Sequence, residues 1–166
     1  MIRCVTRYVS PRQRTLTAAE ELIRQTACDL KVPTPRSIEI AAPPMAFVLG
    51  PEPCWLVPVP SSSGDTTANL AVCHAIKLFV PAARIVTGIR RKHPVESSCV
   101  RRRRGLNGLT VAEHAFTRCV GPLHRLPVWF VDNVVTTGNT IKACHLAFGT
   151  GEGLVYADAS SSALLR

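Results

Sequence analysis

This sequence has few aromatic residues, no long apolar run and no paired cysteines. Aromatic residues make up 5% of its 166 positions, which argues against a stacking platform for single-stranded nucleic acid and indicates an aliphatic core. No window contains the roughly 18 apolar residues that a membrane-spanning helix needs, and the basic N-terminus lacks the apolar run of a secretory signal. The seven cysteines include no C-x-x-C pair. A zinc ribbon is therefore not indicated, and the odd, scattered set fits reduced thiols in the cytoplasm.

Basic residues are in excess, and they are unevenly distributed. The chain carries 20 Lys and Arg against 11 Asp and Glu, which gives a formal net charge of +9. Eight of the 20 lie between Arg84 and Arg104, where Glu96 is the only acid. Such an excess favours polyanionic partners: nucleic acid, phosphorylated metabolites or an anionic membrane surface.

The first third of the chain predicts one helix followed by a proline-rich connector. Thr17 and Glu20 form a capping-box pattern at the start of a helix over Thr17 to Leu30. Residues 31–60 contain eight of the 13 prolines, which excludes one long helix through the whole stretch. We expect two short strands within it, Ala46 to Leu49 and Trp55 to Val59, and loop elsewhere.

The rest of the chain alternates between strand and helix patterns. Residues 90–108 lack an apolar period and are expected to be loop, while 109–116 fits either a strand or a helix. The other predicted elements are a helix at Thr66 to Phe79, a strand at Arg84 to Ile89, a strand at Val128 to Val131, a helix at Thr140 to Phe148 and a strand at Leu154 to Ala157. Alternation of this kind indicates an α/β fold, with a mostly parallel twisted sheet flanked by helices.

The stretch VWFVDNVVTTGNT, residues 128–140, combines a buried strand, a polar tip and a loop that leads into a helix. In an open parallel sheet, ligands bind beyond the carboxyl ends of the strands, where Asp132 is expected to emerge. The first amides of the following helix have no partners within it and lie at its positive end, so a phosphate can accept several hydrogen bonds there. Threonine hydroxyls add donors, and Gly138 lets the backbone approach the anion.

This stretch resembles the 13-residue signature of type I phosphoribosyltransferases, enzymes that use phosphoribosyl pyrophosphate (PRPP). Twelve of the 13 positions fit the pattern, and the exception is Asn133, where the family usually has a second acid. The resemblance implies the type I phosphoribosyltransferase fold, with Asp132 and Asn133 as the catalytic positions at the ribose hydroxyls. It implies a 5′-phosphate site formed by Thr136, Thr137, Gly138, Asn139 and Thr140. A neutral amide at 133 cannot offset positive charge on an oxocarbenium-like ribose.

A second strand–loop–helix unit follows the strand at Trp55 to Val59. Beside the first signature it resembles the pyrophosphate loop of the family, with the amides of Ser61, Ser62, Ser63 and Gly64 expected to face the leaving group. The alternative interpretation is a serine-rich surface turn in which Asp65 or Thr66 caps the next helix.

The basic segment 90–107 lies in sequence between the two loops, where the family has a mobile loop that covers the active site. The resemblance implies that cations from this segment contact pyrophosphate as it departs, and the candidates are Arg90, Arg91, Lys92 and Arg104. The alternative is a solvated basic face. The five histidines, His74, His93, His114, His124 and His145, show no ligand spacing, so no protein metal site is expected.

Within the family the nearest likeness is to ComF-type proteins, which are linked to competence and DNA uptake. The residues that carry it are VPVP at 57–60, Pro94 followed by Arg104 and Asn107, and the 128–140 stretch. The cysteine zinc module that often begins such proteins is missing, and SSSGDTTANLA replaces their basic stretch after VPVP. We therefore assign residues 46–166 to a phosphoribosyltransferase-like core, and residues 1–45 to an N-terminal helix and connector that are candidates for the hood over the acceptor.

Two functional hypotheses follow from the resemblance. The first is an enzyme that binds PRPP with Mg²⁺ and transfers the phosphoribosyl group to an unknown nitrogen acceptor, with release of pyrophosphate. The second is a catalytically weak or inactive protein of the same fold, which binds PRPP, a nucleotide or nucleic acid in a DNA-related role. Both place the chain in the cytoplasm without a membrane partner, and family relatives suggest a homodimer.

Overall fold

Five parallel strands form one sheet in the computed structural model, which describes residues 1–11, 14–123 and 125–160 and their side chains except those at 98, 99 and 102. The strands are β1 (Ile2–Arg7), β2 (Trp55–Pro58), β3 (Arg84–Ile85), β6 (Val128–Val135) and β7 (Glu152–Asp158). Their order across the sheet is β1-β7-β6-β2-β3, and every neighbouring pair is parallel. A separate antiparallel pair consists of β4 (Ile89–Arg91) and β5 (Phe116–Arg118). The predicted α/β class with a parallel sheet is confirmed.

Helices cover both faces of this sheet. The helices α1 (Ala18–Asp29), α2 (Pro35–Leu49) and α3 (Thr67–Phe79) share one hydrophobic core with strand residues such as Leu56 and Val131. The helix α5 (Asn139–Phe148) and the β4–β5 pair form the second core, with Val57 and Phe130 from the other face of the same strands. A short helix α4 (Ser98–Arg103) and a single 3₁₀ turn (Ala112–His114) complete the described elements. Alternation along each strand thus separates two aliphatic layers.

Helix α2 contradicts the strand predicted at Ala46 to Leu49 and the connector predicted before it. Thr34 caps the helix through a capping box with Ser37, and Pro35 occupies the first turn, where a missing N–H costs nothing. Pro43 and Pro44 lie inside the helix. The helix forms nonetheless because its small and apolar side chains recur with helical spacing and are buried: Ser37, Ala41, Ala42, Met45, Ala46 and Leu49.

The N-terminal residues belong to the sheet. Strand β1 pairs with β7 from Ile2↔Gly153 to Arg7↔Asp158, and no strand had been predicted there. The boundary expected between residues 45 and 46 falls inside α2.

Several other elements follow the predictions, with shifted ends. Helices α1, α3 and α5 lie where they were expected, and the capping box of Thr17 and Glu20 is present. The strand expected over Arg84 to Ile89 is divided between β3 and β4, and β6 continues four residues beyond Val131. The segment 90–108 is not all loop, because it contains the end of β4 and all of α4. The ambiguous 109–116 holds the 3₁₀ turn and the start of β5.

The described residues contain no helix long and apolar enough to cross a membrane. The six cysteines whose side chains are described are all free thiols: Cys4, Cys28, Cys54, Cys73, Cys119 and Cys144. Three of them, Cys54, Cys73 and Cys144, are buried in the cores.

The chain leaves the sheet in opposite directions from its two central strands. From β2 it passes through α3 to β3 on one side, and from β6 it passes through α5 to β7 on the other. The carboxyl ends of β2 and β6 therefore flank a topological switch point, where open parallel sheets bind their ligands.

Candidate anion-binding site

Two loops meet at the switch point, and they are the two that the sequence singled out. The loop 59–66 follows β2, and the loop 136–138 follows β6 and leads into α5. The strands are paired as far as Pro58↔Val131, with the amide of Val59 donating to the carbonyl of Val131 at 3.1 Å. Among the described residues, no pairing between β2 and β6 is formed beyond this bond.

The N-terminus of α5 has only a weak side-chain cap. Gly138 is the N-cap with φ of 75° and has no side chain of its own, and the amide of Asn139 donates to Oγ1 of Thr137 at 3.4 Å. Glycine is required there for its left-handed conformation, and a Cβ would also lie 3.2 Å from the side chain of Ile2. The side chain of Asn139 is turned away from the loop, because its Nδ2 donates to the carbonyl of Leu109 at 2.8 Å.

A cavity of about 200 Å³ opens beside this helix start. Three of the predicted 5′-phosphate residues line it, namely Thr136, Thr137 and Thr140. The opposite wall comes from Leu106, Gly108, Leu109 and His114. The structure thus brings three threonines and the first turn of α5 together around one space, and the segment that precedes β5 closes it.

Asp132 lies on β6 just beyond the last residue paired with β2. Its Oδ1 accepts from the amide of Asn133 at 2.9 Å and from Nδ2 of Asn69 at 3.4 Å. Asn69 is buried in the first turn of α3 and also donates to the carbonyl of Val59 at 2.8 Å. Burial raises the pKa of Asp132 to about 6, against the lowering effect of the two hydrogen bonds and of the charges of Lys31 and Arg91.

Asn133 points to the other face of the sheet. Successive strand residues alternate, and its Nδ2 donates to the carbonyl of Ala27 in α1 at 3.2 Å, while its Oδ1 accepts from the amide of Val134 at 3.0 Å. The side chain of the residue predicted to assist Asp132 is thus already engaged with α1.

Two of the four amides in the serine loop donate to carbonyls within the loop itself. The amide of Ser61 donates to the carbonyl of Asp65 at 2.8 Å, and that of Gly64 donates to the carbonyl of Ser61 at 3.0 Å. Of the four amides expected to face the leaving group, those of Ser62 and Ser63 have no acceptor among the described residues. The hydroxyls of Ser61 and Ser63 lie 2.8 Å apart, and Oδ1 of Asp65 accepts from the amide of Thr67 at 3.1 Å, as the surface-turn alternative expected of an acid near the helix start.

Arg91 differs from the other three cations assigned to pyrophosphate. It is 7% exposed, its Nε donates to the carbonyl of Ser61 at 2.9 Å, and its Nη1 donates to the carbonyl of His114 at 2.6 Å. Its guanidinium carbon also lies 4.4 Å from the ring centre of Phe116. Arg91 therefore joins the serine loop to the wall of the cavity.

The residues on either side of Arg91 differ from it in exposure. Arg90, which precedes it in β4, and Lys92, just after the strand, are both exposed. Arg104 is exposed and bonded to Glu96, with 2.7 Å between Nη1 and Oε1. Of the four candidates, only Arg91 joins the serine loop to the 3₁₀ turn that ends at His114.

Two residues of this site were missed by sequence reasoning. His114 is 4% exposed and lines the cavity, although the lack of ligand spacing had given it no role. Its position could have been inferred from Thr110 and Glu113, whose T-x-x-E spacing is that of a capping box: the amide of Thr110 donates to Oε2 of Glu113 at 2.7 Å. No pattern in the sequence indicated that Asn69 would lie at this site. His124 lies outside the described residues.

The described part of the chain contains no group of three or more His, Cys, Asp or Glu side chains placed to hold a metal. A larger groove of about 690 Å³ is lined mainly by aliphatic side chains of α3 and by Ile38, and none of the predicted site residues lines it. No protein-family model matches this sequence, and no curated protein or solved structure shows significant similarity to it.

Proposed function

We propose that this chain is a phosphoribosyltransferase, which binds PRPP with Mg²⁺ at the switch point and transfers the phosphoribosyl group to a nitrogen acceptor. One observation carries the proposal. Thr136, Thr137 and Thr140 line a cavity at the start of α5, and Asp132 lies on β6 beside the strand that leads into the serine loop. This is the arrangement that a sugar with two anionic ends requires. The five-stranded parallel sheet is compatible with the type I phosphoribosyltransferase fold that the 128–140 signature implies.

Each part of the substrate has a matching group in this arrangement. The 5′-phosphate occupies the cavity of Thr136, Thr137 and Thr140, with the first amides of α5 as donors. The ribose hydroxyls reach Asp132. The pyrophosphate lies along the serine loop, where the amides of Ser62 and Ser63 are not used by the turn.

The magnesium ion fits the donors present as a substrate-bound ion. Mg²⁺ prefers oxygen ligands and keeps several waters, so one carboxylate and the phosphate oxygens suffice. Asp132 is the carboxylate at this point of the site, and the bound ion would neutralise the charge that builds on pyrophosphate.

The protein itself contributes to the reaction by positioning the two substrates and by stabilising the charge on the leaving group. A nitrogen atom of the acceptor forms a bond to the anomeric carbon, and the bond to pyrophosphate breaks with its electron pair going to the leaving oxygen. The acceptor proton passes to solvent. Donors of the serine loop and the nearby charge of Arg91 stabilise the departing anion.

Pyrophosphate release tests the proposal. Incubation of the protein with PRPP, Mg²⁺ and a panel of nitrogenous bases and amines is expected to release pyrophosphate with at least one acceptor. Asp132→Ala and Asp132→Asn should each lower the rate by about 100-fold or more, because the ribose hydroxyls lose the carboxylate that positions the sugar and offsets its developing positive charge.

Asp29→Asn, which alters a carboxylate at the end of α1 bonded to Gln25, serves as the matched control and should retain full turnover. No pyrophosphate with any acceptor, or equal rates in wild type and Asp132→Ala, would count against a transferase.

The position of Asn133 favours one alternative, a protein that binds the same ligand without turnover. Its amide donates to α1, so a single carboxylate remains at the ribose. A protein of this kind binds PRPP or a nucleotide with Asp132-dependent affinity in calorimetry, yet releases no pyrophosphate. Binding to oligonucleotides through the exposed Arg90 and Lys92 would instead weaken steeply with salt.

A further inference from the structure

His114 ends the 3₁₀ turn at the back of the anion cavity. It is buried, its ring lies 5.4 Å from that of Phe116, and it lines the cavity with Thr136, Thr137 and Thr140. Its imidazole therefore has one environment on the Arg91 side and another on the cavity side.

The guanidinium of Arg91 faces one ring nitrogen of His114. Nη2 of Arg91 lies 3.5 Å from Nδ1 of His114, and a guanidinium can only donate. This contact favours the neutral tautomer in which Nδ1 accepts and Nε2 carries the hydrogen. The guanidinium cannot turn away easily, because Nε and Nη1 are held by the carbonyls of Ser61 and His114.

The other ring nitrogen is available to a ligand. Among the described residues no hydrogen bond involves Nε2 of His114, although the side chain is more than nine-tenths buried. Nε2 of His114 is not an enclosed atom that lacks a partner, and an anion seated at the start of α5 would supply it with an acceptor.

We propose that His114 binds the phosphate of the ligand through its Nε2–H, as a neutral donor on the cavity wall opposite the three threonines, and that Arg91 is the residue that fixes this tautomer. The inference rests on the proposed function for the identity of the phosphorylated sugar, but the phosphate site can be tested without turnover. It adds a side-chain donor that the 128–140 signature does not contain.

The charges around His114 keep it neutral. Burial and the positive charge of Arg91 lower its pKa to about 4, and Glu113 acts in the opposite direction. Glu113 is itself paired with Arg101, at 3.5 Å between Nη2 and Oε1, which reduces its effect. Thr140 of α5 and Phe116 of β5 bring no charge to the ring. A neutral donor suits a phosphate site that must release its ligand.

Calorimetry with inorganic phosphate and with ribose 5-phosphate tests the binding role. His114→Phe keeps a planar ring but removes the donor, and it should weaken both ligands by on the order of tenfold, the value of one charge-assisted hydrogen bond. His114→Gln places an amide N–H near the Nε2 position and should recover most of that affinity. His74→Phe, which alters an exposed histidine on α3, should bind as wild type.

The tautomer gives a readout that a merely structural residue would not affect. In ¹⁵N NMR of the wild-type protein, His114 is expected to be protonated at Nε2 and not at Nδ1 between pH 5 and 8. Arg91→Met should bring a mixture of tautomers and weaker phosphate binding. Protonation at Nδ1 in the wild type, or unchanged phosphate affinity in His114→Phe, overturns the inference whether or not Arg91→Met folds. If phosphate binding depends on His114 but no pyrophosphate is released, this inference stands and the transferase proposal is rejected.

Discussion

At the scale of single residues, Asp132 and Asn133 show what the pattern of residues 128–140 could and could not predict. The strand pattern predicted Asp132 beside the ligand loops, and the alternation of a strand implies that its neighbour faces away. What the pattern could not supply is the acceptor that Asn133 finds, because the carbonyl of Ala27 comes from a helix more than a hundred residues earlier. The amide at 133 is thus explained by packing against α1, independently of any loss of catalytic function.

Asn133→Asp is expected to destabilise the protein. The change replaces an N–H donor by a carboxylate oxygen facing the carbonyl of Ala27, so two acceptors meet and the carbonyl loses its donor. Urea denaturation should show a loss of about 1–3 kcal/mol in the free energy of unfolding. Asn107→Asp, at an exposed residue whose backbone carbonyl accepts from Arg101, should change it little. A variant as stable as wild type with faster pyrophosphate release would show instead that residue 133 reaches the ribose.

At the scale of elements, the predictions succeeded where local signals agreed and failed where two signals conflicted. Helices α1, α3 and α5 each combine a polar start with apolar residues at helical spacing, and they were placed correctly to within one or two residues. In α2 the prolines argued against a long helix and a strand was expected at Ala46 to Leu49, whereas the buried positions of this segment recur with helical spacing. Packing of a face made largely of small residues against α3 stabilises the helix by more than the two interior prolines destabilise it. The sequence alone does not show how much stability this packing contributes, so it could not be weighed against the prolines.

Pro43→Ala is expected to stabilise α2 and the protein. Pro43 is exposed in the helix interior, where it removes a hydrogen bond to the carbonyl of Glu39 four residues earlier. Restoring that bond should raise the free energy of unfolding by about 1–3 kcal/mol, measured in urea. Pro35→Ala is the matched control, because the first turn has no such bond to restore and the value should stay equal or fall. If Pro43→Ala lowers stability, the proline is needed for the path of the helix.

At the scale of the whole molecule, the fold class was predictable but the strand order was not. Alternating elements indicated a parallel sheet, whereas the pairing of β1 with β7 joins residues about 150 positions apart and leaves no local trace. The switch point between β2 and β6 follows from that order. It is also where two titratable groups with shifted pKa values lie, the partly buried Asp132 and the buried His114, and their protonation links the site to the stability of the entire domain.

Asp132 and His114 act on stability with opposite signs over the same pH range. The pKa of Asp132 is raised to about 6, so its contribution is fully present below the ordinary pKa near 4 and is lost as the pH rises through 6. The pKa of His114 is lowered to about 4, so its contribution is fully present above about 6.5 and is lost as the pH falls through 4. At about 1.4 kcal/mol per unit of pKa, each effect is at most about 3 kcal/mol, and they nearly cancel.

Replacing either titratable group should reveal the pH dependence of stability that the other one causes. Between pH 4.5 and 6.5 the wild-type free energy of unfolding is expected to change little. With Asp132→Asn it should rise with pH by about 2 kcal/mol, because His114 alone then titrates, and with His114→Gln it should fall by a similar amount. Urea denaturation at half-unit pH steps measures the three curves. The range stays above pH 4.5 because carboxyls with lowered pKa values, Glu113 and Asp65 among them, titrate below it. Three parallel curves would mean that both groups have ordinary pKa values and that the switch point is open to water, which would also remove the reason for His114 to bind phosphate as a neutral donor.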